Sequence, residues 1–410
     1  MNLDSLVQQA EETAVLCQKR IDETVRFNLH KVLSVFQKNR VGEIHLGSTS
    51  GYGYNDLGRT VLEKIYAEVF GAEDALVRQQ IISGTHAITL ALFGNLLPGD
   101  ELLAVGKPYD TLQKVIGTDK KEPGTLREMG VLYREIPLVN GAVDPKEIAA
   151  AIRPETKIVS IQRSKGYAWR PSVSVNKIGE IAQAIKKKYA QVVVFVDNCY
   201  GEFVEEKEPL EVGADLIAGS MIKNPGGGIA PGGGYIAGRR ELVERAAFRL
   251  TAPGIGKEIG PSLENNRLFL QGLFLAPHVV GEALWGAVFT AALFAGMGFD
   301  VQPEPESYRS DIVQAIKLEE RERVLEFCRG IQHYSPVDSY VRPEPWDMPG
   351  YDHQVIMAAG AFVQGSSIEL SADAPMREPY IVYFQGGTSR HHVLLAVTET
   401  VKRMTVAGLL

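Results

Sequence analysis

Cysteine is scarce: Cys17, Cys199 and Cys328 are the three in a chain of 410 residues. They lie far apart and no CxxC pair occurs, which argues against a disulfide framework and a structural zinc site. A reducing, cytoplasmic setting follows as the expectation. Long blocks of one charge are also missing. The longest basic run is Lys186 to Lys188 and the net charge is −7, so neither nucleic acid nor an anionic membrane surface is an expected partner. The glycine-rich run NPGGGIAPGGGY (224–235) is not followed by GK[ST], which argues against an ATP or dinucleotide phosphate loop. It reads as a turn that lets the chain pass close to a lysine. His391 and His392 have no carboxylate or thiolate near them in sequence, so no metal site is expected. The first residues carry Asp4, Glu11 and Glu12 without an apolar core, unlike a secretory signal. Residues 279–298 are almost wholly apolar, with Glu282 as the lone charge. No second span and no basic flank accompany them, so they read as a buried helix joining two domains rather than a membrane span.

What is present is ordinary globular material, 45% hydrophobic and 23% charged. The length suits a large domain plus a smaller one. Residues 1 to about 40 read as helix. HLGSTSGYGYNDLGR (45–59) must be irregular, yet it carries two tyrosines and an arginine; helix resumes over 60–70. From residue 74 strand, turn and helix alternate. DALV, ELLAV, VLYREI, KIVSIQ and VVVFVD read as buried strands, and ADLIAGS and GGGYIAGR add two more. This alternation predicts an α/β fold, a mostly parallel sheet with helices on both faces and ligands at the carboxyl ends of its strands. After residue 300 VQPEPE reads as a linker into a smaller C-terminal α+β domain, with strands at SSIELSA and YIVYFQGG. The expected divisions are 1–58, a helix and an active-site arm; 59–298, the large domain; and 299–410, the small one.

Two residues carry the chemistry. Asp197 closes the apolar run QVVVFVDN, and Lys223 follows 26 residues later in GSMIKNPGGG. A carboxylate at a buried strand end is costly unless paired, and a protonated pyridine nitrogen is a suitable partner; the plainer alternative is a helix N-cap. A lysine in a dry glycine-rich loop can form an imine with an aldehyde once its pKa falls from about 10.4; the plainer alternative is a solvated loop lysine. Together they indicate pyridoxal 5'-phosphate. ISGTHAIT (82–89) opens a helix, where Gly84 and the amides of Thr85 and His86 suit an anion. A simple N-cap turn would look the same. Tyr109, after the strand ELLAV, stands where an aromatic could stack on a flat ring or relay a proton; a rim tyrosine is the alternative.

The order of GYGYNDLGR, SGTHAI, KPYDTL, FVDNCYGEF, GSMIKNPGGG, LFLAPHVVGEA and MREPYIVYFQGG, spanning about residues 47–387, resembles fold-type I pyridoxal phosphate enzymes of the Cys/Met-metabolism group. More narrowly it resembles the methionine gamma-lyase-related family often labelled aluminium resistance proteins. The resemblance implies Lys223 on the cofactor aldehyde, Asp197 on the pyridine nitrogen, Gly84, Thr85 and Ser220 on the phosphate, and Tyr109 over the ring. It implies that a neighbouring subunit lends its arm, here Tyr52-Gly53-Tyr54 where the group has Tyr-x-Arg, so that Tyr54 stands in the arginine's place beside the cofactor and Tyr52 near the substrate. Arg59 matches a different, helix-starting position. Ile222 stands where many relatives have threonine. KIVSIQRSKGYAW replaces a Ser-Pro-Thr-Asn type turn, leaving Arg163, Lys165 or Tyr167 as candidates near the ring hydroxyl. Arg377 is the first candidate for the substrate carboxylate and Arg390 the second. The implied activity is carbon–sulfur lyase chemistry on sulfur amino acids by β- or γ-elimination, giving keto acid, ammonia and thiol, in a homodimer or homotetramer with shared active sites. Other chemistry at the α-carbon (an aminotransferase or racemase) and a non-catalytic cofactor-binding protein linked to metal stress are the alternatives.

Overall fold

The computed structural model describes residues 3–118, 123–139 and 141–410. Its elements are α1 (Leu3–Lys38), α2 (Leu57–Phe70), β1 (Asp74–Arg78), α3 (Gly84–Asn95), β2 (Glu101–Val105), α4 (Asp110–Ile116), β3 (Leu132–Ile136), α5 (Pro145–Ala151), β4 (Thr156–Gln162), α6 (Val175–Lys186), β5 (Val193–Asp197), β6 (Leu216–Ser220), β7 (Gly234–Gly238), α7 (Arg240–Leu250), α8 (Asn266–Gly296), β8 (Val301–Gln302), β9 (Val313–Lys317), α9 (Arg321–His333), β10 (Val355–Ala358), β11 (Ser371–Pro375), β12 (Ile381–Gln385) and α10 (Arg390–Val406).

Seven strands form the large sheet in the order β1-β7-β6-β5-β4-β2-β3. The pairs from β6 across to β3 are parallel. β7 runs antiparallel to both β1 and β6, so it alone is reversed. The sheet has two apolar faces because alternate side chains of each buried strand point opposite ways. On β5, Val193 and Phe195 join α3 and α7, while Val194 and Val196 join the core that also holds α2, α6 and α8. The strand VLYREI departs from the sequence expectation: β3 is the outer edge and Leu132 is exposed. An edge strand has one neighbour, and its outer flank meets water.

The second sheet is antiparallel throughout, in the order β10-β11-β12-β9-β8. Two details differ from the sequence reading. VQPEPE begins with the short strand β8 rather than being linker throughout. In SSIELSA, strand starts only at Ser371. Ahead of it Glu369 accepts the amides of Phe362 (2.8 Å) and Val363 (3.0 Å), which ties residues 366–370 to a preceding turn instead.

Helix α8 joins the two sheets. From Val279 to Ala291 every residue is buried, and this half of the helix is apolar on all sides but for Glu282 because it is covered on all sides. Although long and apolar enough to cross a bilayer, its most apolar window is 83% buried within the protein. Helix α1 lies along it, with Ala10, Ala14, Cys17 and Ile21 turned inward at helical spacing. The lone charge Glu282 is answered by Arg390 (2.5 Å), at the start of α10. The glycine run after Lys223 packs on the same helix. A Cβ on Gly226 would collide with the Met221 carbonyl, and one on Gly272 of α8 would collide with the Gly226 carbonyl.

Candidate active site

Four strand ends and one helix start meet at a cavity of about 380 Å³. At the helix start, Ser83 caps α3 by accepting the His86 amide on its hydroxyl (3.1 Å) and the Ala87 amide on its carbonyl (3.0 Å). The amides of Gly84 and Thr85 stand at the cavity edge, where the helix dipole favours an anion. Position 84 is tight: a Cβ there would lie 3.1 Å from Cys199 Sγ and 3.3 Å from the Ser220 Cβ. Ser220 closes β6 and lines the same cavity.

Tyr109 follows β2. Its amide donates to Gln162 Oε1 (3.1 Å) and its hydroxyl meets Thr85 Oγ1 (3.1 Å). That fixes the ring against the cavity. Burial pushes its pKa up, so it stays a neutral phenol.

Asp197 ends β5, and its carboxylate accepts the Cys199 amide (3.1 Å). Burial raises its pKa; Lys223 and the hydrogen bonds from Cys199 oppose the rise. A second cation, the half-buried Arg170, sits nearby and donates to the carbonyls of Gln162 (3.2 Å) and Ser164 (2.5 Å).

Lys223 lies three residues past β6, with Nζ 3.9 Å from the centroid of the Tyr200 ring. Burial disfavours its charge, yet the Asp197 carboxylate works the other way and the ammonium is held well above its ordinary range. The sequence reading had burial alone and expected the opposite direction. Tyr200 is itself held at φ 70°, a left-handed backbone unusual for a bulky residue and a mark of a site fixed by its surroundings.

Arg377 does not line the main cavity. It lines a smaller one of about 130 Å³ that shares Tyr109, Gln162 and Tyr167 with it, and it donates to the Tyr167 carbonyl (3.2 Å). Arg390 is removed from the site by its pairing with Glu282 and its place over the Trp285 ring. Tyr52 and Tyr54 are 69% and 61% exposed and do not enter their own chain's cavity. Arg59 fixes the arm: it donates to the carbonyls of Gly53 (2.7 Å), Gly260 (2.6 Å) and Glu258 (3.2 Å).

Of the three candidates in RSKGY, the structure brings Tyr167 to the cavity. Arg163 is fully buried and donates to Asn198 (2.7 Å), Glu205 (3.1 Å) and Glu208 (3.2 Å). Lys165 is spent on Asp311 (3.3 Å) and the Val313 carbonyl (2.8 Å). His392 Nε2 meets the Tyr334 carbonyl at 2.7 Å.

Sequence reasoning missed Cys199, Tyr200, Met348 and Tyr351 on the cavity wall. The first two lie in DNCYGEF, directly after the carboxylate, and that adjacency was a usable signal. Met348 and Tyr351 come from the small domain, and nothing local marks them.

This fold, with a lysine past β6 and an acid ending β5 over an amide cradle, is that of the fold-type I pyridoxal phosphate proteins. The chain belongs to the methionine gamma-lyase family, whose model matches residues 3–405. It is 50% identical over 386 residues to the uncharacterised protein YnbB of Bacillus subtilis, covering 93% of this chain and 92% of that one. A Clostridium acetobutylicum structure, whose name ties it to aluminium resistance, superposes with a TM-score of 0.95 at 50% identity, over 98% of this chain and 95% of the other. A Clostridium novyi structure named a carbon–sulfur lyase involved in aluminium resistance gives 0.94 at 46% identity, over 98% and 96%. The family implies pyridoxal phosphate. The residues present fit it: an amide cradle for an anion, a buried carboxylate for a ring nitrogen, an amine for an aldehyde and a fixed aromatic wall. Among the described residues lining the cavity Lys223 is the one cation.

Proposed function

We propose that this protein cleaves the β or γ carbon–sulfur bond of a sulfur-containing amino acid, releasing a thiol, ammonia and a keto acid. The observation that carries the reading is the single cavity that gathers Lys223, Asp197, Tyr109 and the start of α3; the family and the lyase name of the Clostridium novyi relative support it. Pyridoxal phosphate, when bound, supplies an electron sink for charge developing at the substrate α-carbon. Lys223 would hold its aldehyde, and Asp197 would keep its ring nitrogen protonated. Gly84, Thr85 and Ser220 would hold its phosphate, and Tyr109 would pack against its ring.

Lys223, with its amine neutral, is the general base placed to take the substrate α-proton. Arg377 takes the substrate carboxylate after a short movement from its small cavity. Tyr52 and Tyr54 reach the cavity of a second copy, so the working unit is at least a dimer. The working division places the arm in 1–58, the cofactor domain in 59–298 and the small domain in 299–410.

The test is a panel of cystathionine, methionine, cysteine and homocysteine on cofactor-saturated protein. Thiol and keto acid should appear in equal amounts from at least one. Amino-group transfer or racemisation without thiol would overturn the reading in favour of other α-carbon chemistry.

A further inference from the structure

Tyr167 lines the same cavity as Lys223, and its surroundings are unusual. Its ring stands between Tyr351 (5.8 Å) and Tyr383 (5.3 Å). Its hydroxyl lies beside Asp373, a buried carboxyl on β11 of the small sheet, whose register partner on β12 is Tyr383. Asp373 also accepts from Gln385 Nε2 of β12 (2.7 Å). Its carboxylate therefore has one neutral amide partner and one phenol, with no arginine or lysine in direct contact. A buried carboxyl in such company is expensive in its charged form.

We propose that Tyr167 and Asp373 form a proton-delivery pair, in which Tyr167 is the catalytic acid for the departing sulfur and Asp373 is the positioning residue that replenishes it. The inference rests on the lyase reading above. As the carbon–sulfur bond breaks, its electron pair stays with sulfur, and sulfur takes the Tyr167 proton to leave as a neutral thiol. The Asp373 carboxylic proton passes to the phenolate oxygen, and Asp373 is left ionised until it takes a proton from solvent on product release. The direction of the Tyr167 hydroxyl follows from the state of Asp373. Ionised, Asp373 accepts that proton and turns it away from the cavity. Protonated, Asp373 donates to the Tyr167 oxygen and frees the phenol proton to point inward.

The competing phenol, Tyr109, has its hydroxyl on Thr85 at the anion end and no carboxyl behind it. The groups facing Asp373 are Tyr167, Gln385, Tyr200 after β5, Tyr351 ahead of β10, Cys328 of α9 and, farther off, Lys223. Burial, opposed by the hydrogen bonds from Tyr167 and Gln385 and by the Lys223 charge, lifts its pKa to about 7. The acid form is therefore well populated at neutral pH and is lost as pH rises.

The experiment compares wild type, Asp373→Asn and Tyr167→Phe as cofactor-loaded protein over a pH series, with two readouts. The first is thiol release. Wild-type kcat should fall tenfold per pH unit above about 7. Both variants should be slower by on the order of 10²-fold and lack that limb, with KM nearly unchanged. The second readout does not need turnover. The infrared difference between wild type and Asp373→Asn should contain a protonated-carboxyl band that disappears with the same midpoint. If wild type releases no thiol, the lyase reading fails, and the band still decides the state of the pair. If thiol is released and the limb persists in Asp373→Asn, or the band is missing, the inference alone fails. Should Asp373→Asn not fold, Tyr167→Phe, which removes one hydroxyl from the cavity wall, decides by the same limb.

Discussion

Arg163→Met separates a cofactor ligand from a buried structural cation. In the structure the guanidinium is spent on three acceptors, Asn198, Glu205 and Glu208, and is fully buried. Glu205 keeps the Val175 amide (3.0 Å), and Glu208 keeps the Phe203 amide (2.9 Å) and Asn198 Nδ2 (3.2 Å). The replacement thus leaves two buried carboxylates with hydrogen bonds but no countercharge. Removing one partner of a buried pair costs about 3–5 kcal/mol, on the order of 10²–10⁴ in the unfolding constant. The sign with pH follows. Burial already raises the Glu208 pKa while Arg163 lowers it; without Arg163 it rises further. A carboxyl whose pKa is higher folded than unfolded costs nothing while both states are protonated; the deficit grows as pH rises from the unfolded value and is complete above the folded one. The deficit should therefore be larger at about pH 8 than at about pH 5. The assay is urea unfolding at fixed protein concentration, with the visible absorbance of bound pyridoxal phosphate read separately. Wild-type stability together with a displaced absorbance band would refute the reasoning, because Arg163 would then be touching the cofactor.

Three further outcomes follow from the same geometry. Lys223→Ala should lose the visible band of the covalent cofactor and all turnover; a retained band, or a borohydride label on another lysine, would remove the assignment. Asp197→Asn keeps the shape of the β5 end but not its charge, and should lower turnover by at least about 10²-fold while leaving the fold intact, as kinetics beside a circular dichroism spectrum would check. Gly226→Ala drives a methyl group against the Met221 carbonyl and should cost about 1–3 kcal/mol by overpacking; an unchanged melting temperature would show that the loop is not wedged on α8.

Much of the fold was legible because buried strands of this kind are short apolar runs. Val193 to Val196 could hardly be read otherwise, and the acid that ends them fixes a ligand-facing edge. β3 was misread because periodicity reports apolarity and not position in the sheet order. SSIELSA misled because its turn is held by Glu369 accepting amides at 362 and 363, a contact that spacing does not announce. At the site, the residues that follow strand ends were legible: Asp197, Ser220, Lys223 and Tyr109. Partners drawn from the other sheet were not. Tyr351 and Asp373 reach the cavity region only because α8 carries the small sheet back to the large one. Arg163 illustrates the reverse failure, since a lone arginine beside a strand end looks the same whether it holds a ligand or two buried glutamates.

Helix α8 touches the lysine-bearing loop at Gly272 and binds Arg390 through Glu282. Their separation of ten positions spans about 15 Å, and each residue turns the helix by about 100°. Inserting or deleting one residue in that interval would swing the carboxylate off its arginine while the glycine stayed in register. Homologous chains should therefore tolerate many substitutions there but almost no change in length, and the segment serves the protein as a ruler.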